Sequence, residues 1–292
     1  MALTPDNTEI LRPYPINGIV IDGQDGSGKG TVAGIITDQL LAQGHNVIPI
    51  AYPVYELPWG SFLSHLLRED DEGLTVEEKM LVYALNRTES VRAVQKAQQQ
   101  GAGKPTDMVF DRFFTSNALT AAYYAAQYPE QLSVTPESIA SLYAYMLTID
   151  NDFLDHIGLH DWNAWIPLVH EDEIMRRLQG DNTRSGLDKH ERVDVQQLAA
   201  DIYRRIAQLD RRVHTFEQYS PTEGRNLFPT EVAQRIMMGS VAHGNYNEIS
   251  GSGTIITPQL TREAVDTDLV NSLLDQFGTD RLHQFNPYKS TE

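Results

Sequence analysis

The chain has 292 residues, 41% of them hydrophobic, a formal net charge of −17 at pH 7 and no cysteine. That composition excludes disulfides, thiolate metal sites and cysteine nucleophiles. No apolar run approaches the length of a bilayer span, and an acidic surface repels the backbone of a nucleic-acid polymer, so neither a membrane nor a polynucleotide is expected as a partner.

The length suits one large domain, or one domain with an appendage. Residues 1–15 lack the basic patch and apolar block of a secretion signal, and a cytoplasmic location is the expectation. They read as an N-terminal arm. An apolar run over 16–22 predicts the first strand. A glycine-rich segment follows, then a helix to about Gln43, with Gly44 placed for a left-handed C-terminal cap. A second strand is predicted over 46–51, ended by Tyr52-Pro53, and a short helix over 58–67. Thr75 and Glu78 form a capping-box pair that opens a long helix reaching about Gln100. A short buried strand is predicted over 108–111, a helix over 117–127, and a further helix capped by Thr135, entered through Pro136 and ending near Leu154. A fourth strand is expected over 165–169 and a helix over 171–178. One long Arg-rich helix is read over 194–218. Its basic pairs Arg204-Arg205 and Arg211-Arg212, interleaved with Asp201 and Asp210, read as a salt-bridged solvent face. From Gly239 to Gln259 the chain turns glycine-, serine- and asparagine-rich and reads as a linker or a surface loop. One last amphipathic helix is predicted over 261–277. Strands separated by helices define an α/β fold, a central parallel sheet of about five strands flanked by helices. Ligands in such sheets lie beyond the carboxyl ends of the strands.

The segment Gly23-Gln24-Asp25-Gly26-Ser27-Gly28-Lys29-Gly30-Thr31 lies between the first strand and the first helix. That is the setting of a phosphate-binding P-loop. Its glycines let backbone N–H groups turn inward, the helix N-terminus adds partial positive charge and Lys29 adds a full one. The usual pattern has Ser or Thr after the lysine. Here Gly30 takes that place and Thr31 follows. The other reading, a glycine turn without a ligand, leaves Lys29 unexplained.

Two more pieces follow in order, Asn86-Arg87-x-Glu89 and Asp111-Arg112-Phe113-x-x-Ser116. Tyr83 and Arg87 are four apart in a helix and share a face, where a ring can stack on a base and a guanidinium can reach a phosphate. A core ring and a surface ion pair are the alternative. Asp111 and Arg112 close a buried strand, either facing a ligand cleft or forming a structural ion pair. Asp25 can shape the loop as an Asx turn.

Together the three motifs resemble those of thymidylate kinases, P-loop enzymes that pass a phosphoryl group from ATP to dTMP, over most of residues 16–238. The resemblance implies the P-loop NTPase fold with a lid, at about 176–192 here. It assigns ATP to Gly23, Asp25, Gly26, Ser27, Gly28, Lys29, Gly30 and Thr31, and magnesium to Thr31 and Asp111. It assigns the acceptor to Asp25, Tyr55, Tyr83, Arg87, Arg112, Ser116 and Asn117. Lys29, Asp111, Arg112 and the lid arginine Arg184 would carry catalysis, with Arg177 as a second lid candidate, and the family implies a homodimer. Tyr55 stands where many relatives carry arginine, which leaves open another pyrimidine nucleotide or a deoxynucleoside as acceptor. Gly30, with the 239–292 extension, leaves open a nucleotide-binding module without catalysis.

Overall fold

The computed structural model describes residues 16–68, 73–101, 103–180, 190–243 and 253–289. Strands β1 (Ile16–Ile21), β2 (Asn46–Ala51), β3 (Thr106–Asp111), β4 (Asp161–Leu168) and β5 (Val213–Glu217) form one parallel sheet in the order β2-β3-β1-β4-β5. Helices α1 (Lys29–Ala42), α2 (Pro58–Arg68), α3 (Val76–Glu89), α4 (Val91–Gln100), α5 (Asn117–Gln127), α6 (Pro136–His156), α7 (Glu171–Gly180), α8 (Val193–Leu209), α9 (Pro229–His243), α10 (Thr267–Phe277) and α11 (Asp280–Phe285) surround it. No helix among the described residues is long and apolar enough to cross a membrane.

β1 is buried on both faces, as a central parallel strand must be. Its side chains alternate. Ile19 and Ile21 enter the core layer with Val32, Ile36 and Leu40 of α1 and Ile236 of α9, whereas Val20 enters the larger core built on α3, α5, α6 and α8. The register aligns Ile21 with Asp111 on one side and with Trp165 on the other. The chain leaves β1 towards β2 on one side and leaves the adjacent β3 towards β4 on the other, so the crevice at the carboxyl ends of β1 and β3 is where a ligand cleft forms.

The long helix expected to Gln100 is two helices that meet at Ser90. There Ser90 Oγ donates to the Arg87 carbonyl at 2.6 Å and pairs with the Tyr52 hydroxyl at 2.6 Å, which competes with regular helical bonding. β3 and β4 begin earlier than predicted, at Thr106 and Asp161. The helix expected over 194–218 ends at Leu209, and its tail is the edge strand β5. Arg204 remains in α8 and pairs with Asp201 and Glu217, both at 2.9 Å. A short hairpin, β6 (Tyr219–Ser220) and β7 (Arg225–Asn226), follows β5. Gly239 is not a linker residue but lies in α9. A Cβ there would meet Trp165 Cη2 at 2.1 Å, so only glycine lets α9 settle on that ring.

The segment from Gly253 packs on the same core. Val47 N–H donates to the Thr254 carbonyl at 3.0 Å and Ile256 N–H to the Val47 carbonyl at 2.8 Å, which covers part of the β2 edge. The predicted terminal helix starts at Thr267 rather than 261, and a second, α11, follows it. Val270, Leu273, Leu274 and Leu282 are buried in the large core.

Candidate active site

The loop after β1 turns on three glycines in left-handed conformations, Gly23 at φ 130°, Gly26 at 75° and Gly28 at 86°. α1 then starts at Lys29 with no side chain capping its first amides. Uncapped amides at a helix N-terminus offer donors and partial positive charge to an anion. The loop is braced from behind by three glutamines. Gln24 accepts from Val169 N–H at 2.9 Å and donates to the Gln196 carbonyl at 3.0 Å. The Gln196 side chain accepts from Asp25 N–H at 3.0 Å, and Gln218 Nε2 donates to the Ser27 carbonyl at 2.7 Å. Gln196 and Gln218 come from a stretch with no motif, so no local signal marks them.

Asp22, fully buried at the end of β1, fixes the loop entrance. It accepts from Gly23 N–H at 2.8 Å, Thr115 Oγ1 at 2.6 Å, Ser116 Oγ at 2.5 Å and Tyr203 OH at 3.1 Å. Ser116 therefore lies at the site, held from the β1 side. Asp25 is the electrostatic centre. Its Oδ1 accepts from Lys29 Nζ at 3.3 Å and from the Arg112 guanidinium, and Lys29 also donates to the Gln24 carbonyl at 3.1 Å. Burial alone would push the Asp25 carboxyl up, but Arg112 and Lys29 outweigh it and hold it well below the usual carboxylate range. Burial, with repulsion from Arg112, pulls Lys29 down. Arg112 has φ 69°, a left-handed conformation rare for a non-glycine residue and found where surrounding structure over-determines it.

Asp111 ends β3 beside this cluster. Its Oδ2 lies 2.8 Å from where a Cβ on residue 30 would be, so the glycine at that place makes room for the carboxylate. Its Oδ1 is buried without a hydrogen-bond partner among the described residues, as is Ser27 Oγ. Burial pushes the Asp111 carboxyl up while Lys29 and Arg112 oppose it. Magnesium beside nucleotide phosphates takes one or two protein carboxylates and fills the rest of its shell with phosphate oxygens and water. An orphaned carboxylate oxygen next to the loop lysine fits that demand. Thr31, in the first turn of α1, is exposed.

A cavity opens from this cluster. Asp25, Tyr55, Tyr83, Arg87, Arg112 and Ser116 all line it, which brings together six of the seven acceptor residues expected from sequence. Asn117 is buried and does not line it, and its Nδ2 has no hydrogen-bond partner among the described residues. Tyr83 and Arg87 share one face of α3, as their spacing requires. Arg87 is engaged in a way the sequence did not announce. It donates in bidentate fashion to Asp150 of α6, Nε to Oδ1 at 2.5 Å and Nη2 to Oδ2 at 2.7 Å, with both side chains almost wholly buried. Burial pushes the Asp150 carboxyl up and Arg87 opposes it. His190, buried at 5% exposure, also lines the cavity and was not anticipated.

Arg184 and most of the expected lid lie outside the described residues. Arg177 reaches the loop, with Nη1 donating to the Gly26 carbonyl at 3.2 Å and Nε to Glu173 at 2.7 Å. Hydrogen bonds from Arg176, then from Arg177, hold Glu173 down at about 2.

The parallel sheet, the glycine loop at the carboxyl end of its central strand and the buried lysine define the P-loop NTPase fold. The family model for thymidylate kinase matches residues 21–147. Among solved structures, a thymidylate kinase from Candida albicans is similar in fold, with a TM-score of 0.54 and 16% identity over 82% of this chain and 96% of that one. No curated protein sequence matches the chain.

Proposed function

We propose that this chain is a nucleotide kinase that moves the γ-phosphoryl group of ATP to a nucleoside monophosphate, dTMP first among them. One observation carries the reading. Lys29 of the phosphate loop and Arg112 of the acceptor cavity converge on the same carboxylate oxygen, Asp25 Oδ1. Two cations from opposite sides therefore stand where a donor and an acceptor phosphate would meet.

The chemistry asks for positioning and charge neutralisation more than for a general base. Loop amides and Lys29 bind the donor phosphates. Arg112 orients the acceptor phosphate, and Tyr83 offers a ring face to the base. An acceptor oxygen forms the new bond to the γ-phosphorus as the bond to the β–γ bridging oxygen breaks, and ADP leaves with that electron pair. Lys29 and Arg112 offset the charge that spreads during transfer. Magnesium, bound beside Asp111 and Thr31, would neutralise donor phosphates. Arg184 from the lid, the cytoplasmic setting and a homodimer belong to the same reading.

A second reading, a deoxynucleoside as acceptor, draws on two features. Arg87 is already neutralised by Asp150, and the cavity has Tyr55 where relatives carry a cation. A coupled ADP-release assay over dTMP, dUMP, dGMP, AMP, CMP and thymidine separates the two. Turnover with dTMP supports the first, and turnover with thymidine alone replaces it with the second. ATP binding with no acceptor turned over would leave a binding module.

A further inference from the structure

The C-terminal tail reaches the acceptor cavity through one buried carboxylate. Glu89, the last residue of α3, is 1% exposed. It accepts from Trp59 N–H at 2.9 Å, from Asn86 Nδ2 at 3.0 Å and from the Tyr288 hydroxyl at 2.5 Å. Trp59 sits in the first turn of α2, so Glu89 caps that helix with a negative charge. Asn86 in turn brackets Val54, accepting from its N–H at 2.8 Å and donating to its carbonyl at 3.0 Å. Val54 lies between Pro53 and Tyr55, both of which line the acceptor cavity. The packing leaves no slack, because a Cβ on Gly60 would fall 1.8 Å from the Val54 carbonyl oxygen.

The tail is fastened to both α3 and α2. Thr279 Oγ1 donates to Glu78 at 2.5 Å, and Phe285 packs on Phe62 of α2 with ring centroids 4.9 Å apart. The phosphate loop is braced by a separate set, Gln24, Gln196 and Gln218. The two halves of the site thus rest on different supports.

We infer that Tyr288 is a positioning residue for the acceptor half of the site. Its phenol fixes Glu89, which with Asn86 holds α2 and the Pro53–Tyr55 wall in place. The inference rests on the acceptor cavity of the proposed function, and it gives the extension a role that the phosphate loop does not share.

Tyr288→Phe tests it in the full chain, keeping the ring and removing the hydroxyl. Two readouts are taken, amide hydrogen exchange and steady-state kinetics with dTMP and ATP. The Val54 and Trp59 amides are expected to exchange about tenfold faster while Ile19 in β1 keeps its rate. The KM for the acceptor should rise about threefold to tenfold, less than the full worth of a hydrogen bond to a charged group because the effect is relayed. The KM for ATP should stay within about twofold, since its supports are independent. Glu89→Gln should reproduce the pattern, and adding Tyr288→Phe to it should cost less than the sum of the two. Unchanged exchange at Val54, or equal acceleration at Val54 and Ile19, would overturn the inference. So would equal loss in both KM values. If the wild-type chain phosphorylates no nucleotide, the proposed function fails by itself, and the exchange arm still decides whether Tyr288 holds the wall.

Discussion

Gly30 and Asp111 share one space: the Asp111 carboxylate oxygen lies 2.8 Å from the point where a side chain on residue 30 would begin. The residue that looks like a defect in the loop motif is what lets β3 bring its acid against the loop. Restoring the usual hydroxyl with Gly30→Ser should therefore harm the protein. The serine Cβ displaces Asp111, and displacement of a positioning group by about 1 Å costs up to about 100-fold in rate. Steady-state kinetics should show kcat falling about tenfold or more. A rise in kcat would mean that the hydroxyl matters more than the Asp111 position.

The Arg87–Asp150 pair is the second test. Both side chains are buried, and removing one partner of such a pair leaves an uncompensated charge, a loss of about 3–5 kcal/mol. Asp150→Asn should lower the urea midpoint by a corresponding amount. Arg87→Met with Asp150→Leu should recover much of that stability, because apolar packing replaces the ion pair without its desolvation cost. It should not recover turnover, since Arg87 also lines the acceptor cavity. An Asp150→Asn loss below about 1 kcal/mol, the level of an exposed pair, would contradict the buried geometry.

How much of this was readable in the chain follows from range. Local rules set the elements that Thr75, Thr135 and Gly44 delimit, and α1 and β2 fall where periodicity puts them. Arg204 and Asp201 gave a helical face, but nothing local marked Leu209 as its end. β5 exists because Val213 pairs with Ala164 across the sheet, a contact that spacing does not encode. α9 was hidden because Gly239 reads as a breaker until Trp165 is seen against it. Within the site, the motif residues Asp25, Tyr83, Arg87 and Arg112 do meet in one cavity. Asp150, His190, Gln196 and Gln218 were invisible, because each acts through a partner far along the chain.

Acid should weaken the fold through Asp25. Its folded pKa is depressed below the unfolded value near 3.9, so its contribution is fully present above that value and is lost as pH falls through it towards the folded pKa. Thermal unfolding from pH 7 to pH 3 should show the wild-type Tm dropping more steeply below about pH 4 than that of Asp25→Asn. Parallel curves would remove Asp25 as the acid-sensitive node.

Tyr55 is 45% exposed at the acceptor cavity. Tyr55→Arg puts a cation beside the expected acceptor phosphate and should lower the KM for dTMP about threefold to tenfold, the scale of one charge-assisted hydrogen bond in a wet site. Thymidine, which has no phosphate, should gain nothing. Equal improvement for both would show that residue 55 meets the base or sugar instead.

In the proposed reaction Lys29 and Arg112 serve two different nucleotides at one carboxylate. The most direct measurement is product analysis by anion-exchange chromatography after incubating the chain with ATP, magnesium and dTMP. It is repeated with Lys29→Ala and Arg112→Ala. We predict ADP and dTDP in equal amounts from the wild type, with each variant slower by about 100-fold or more. ADP without dTDP, or dTDP formation undiminished by either substitution, would contradict it.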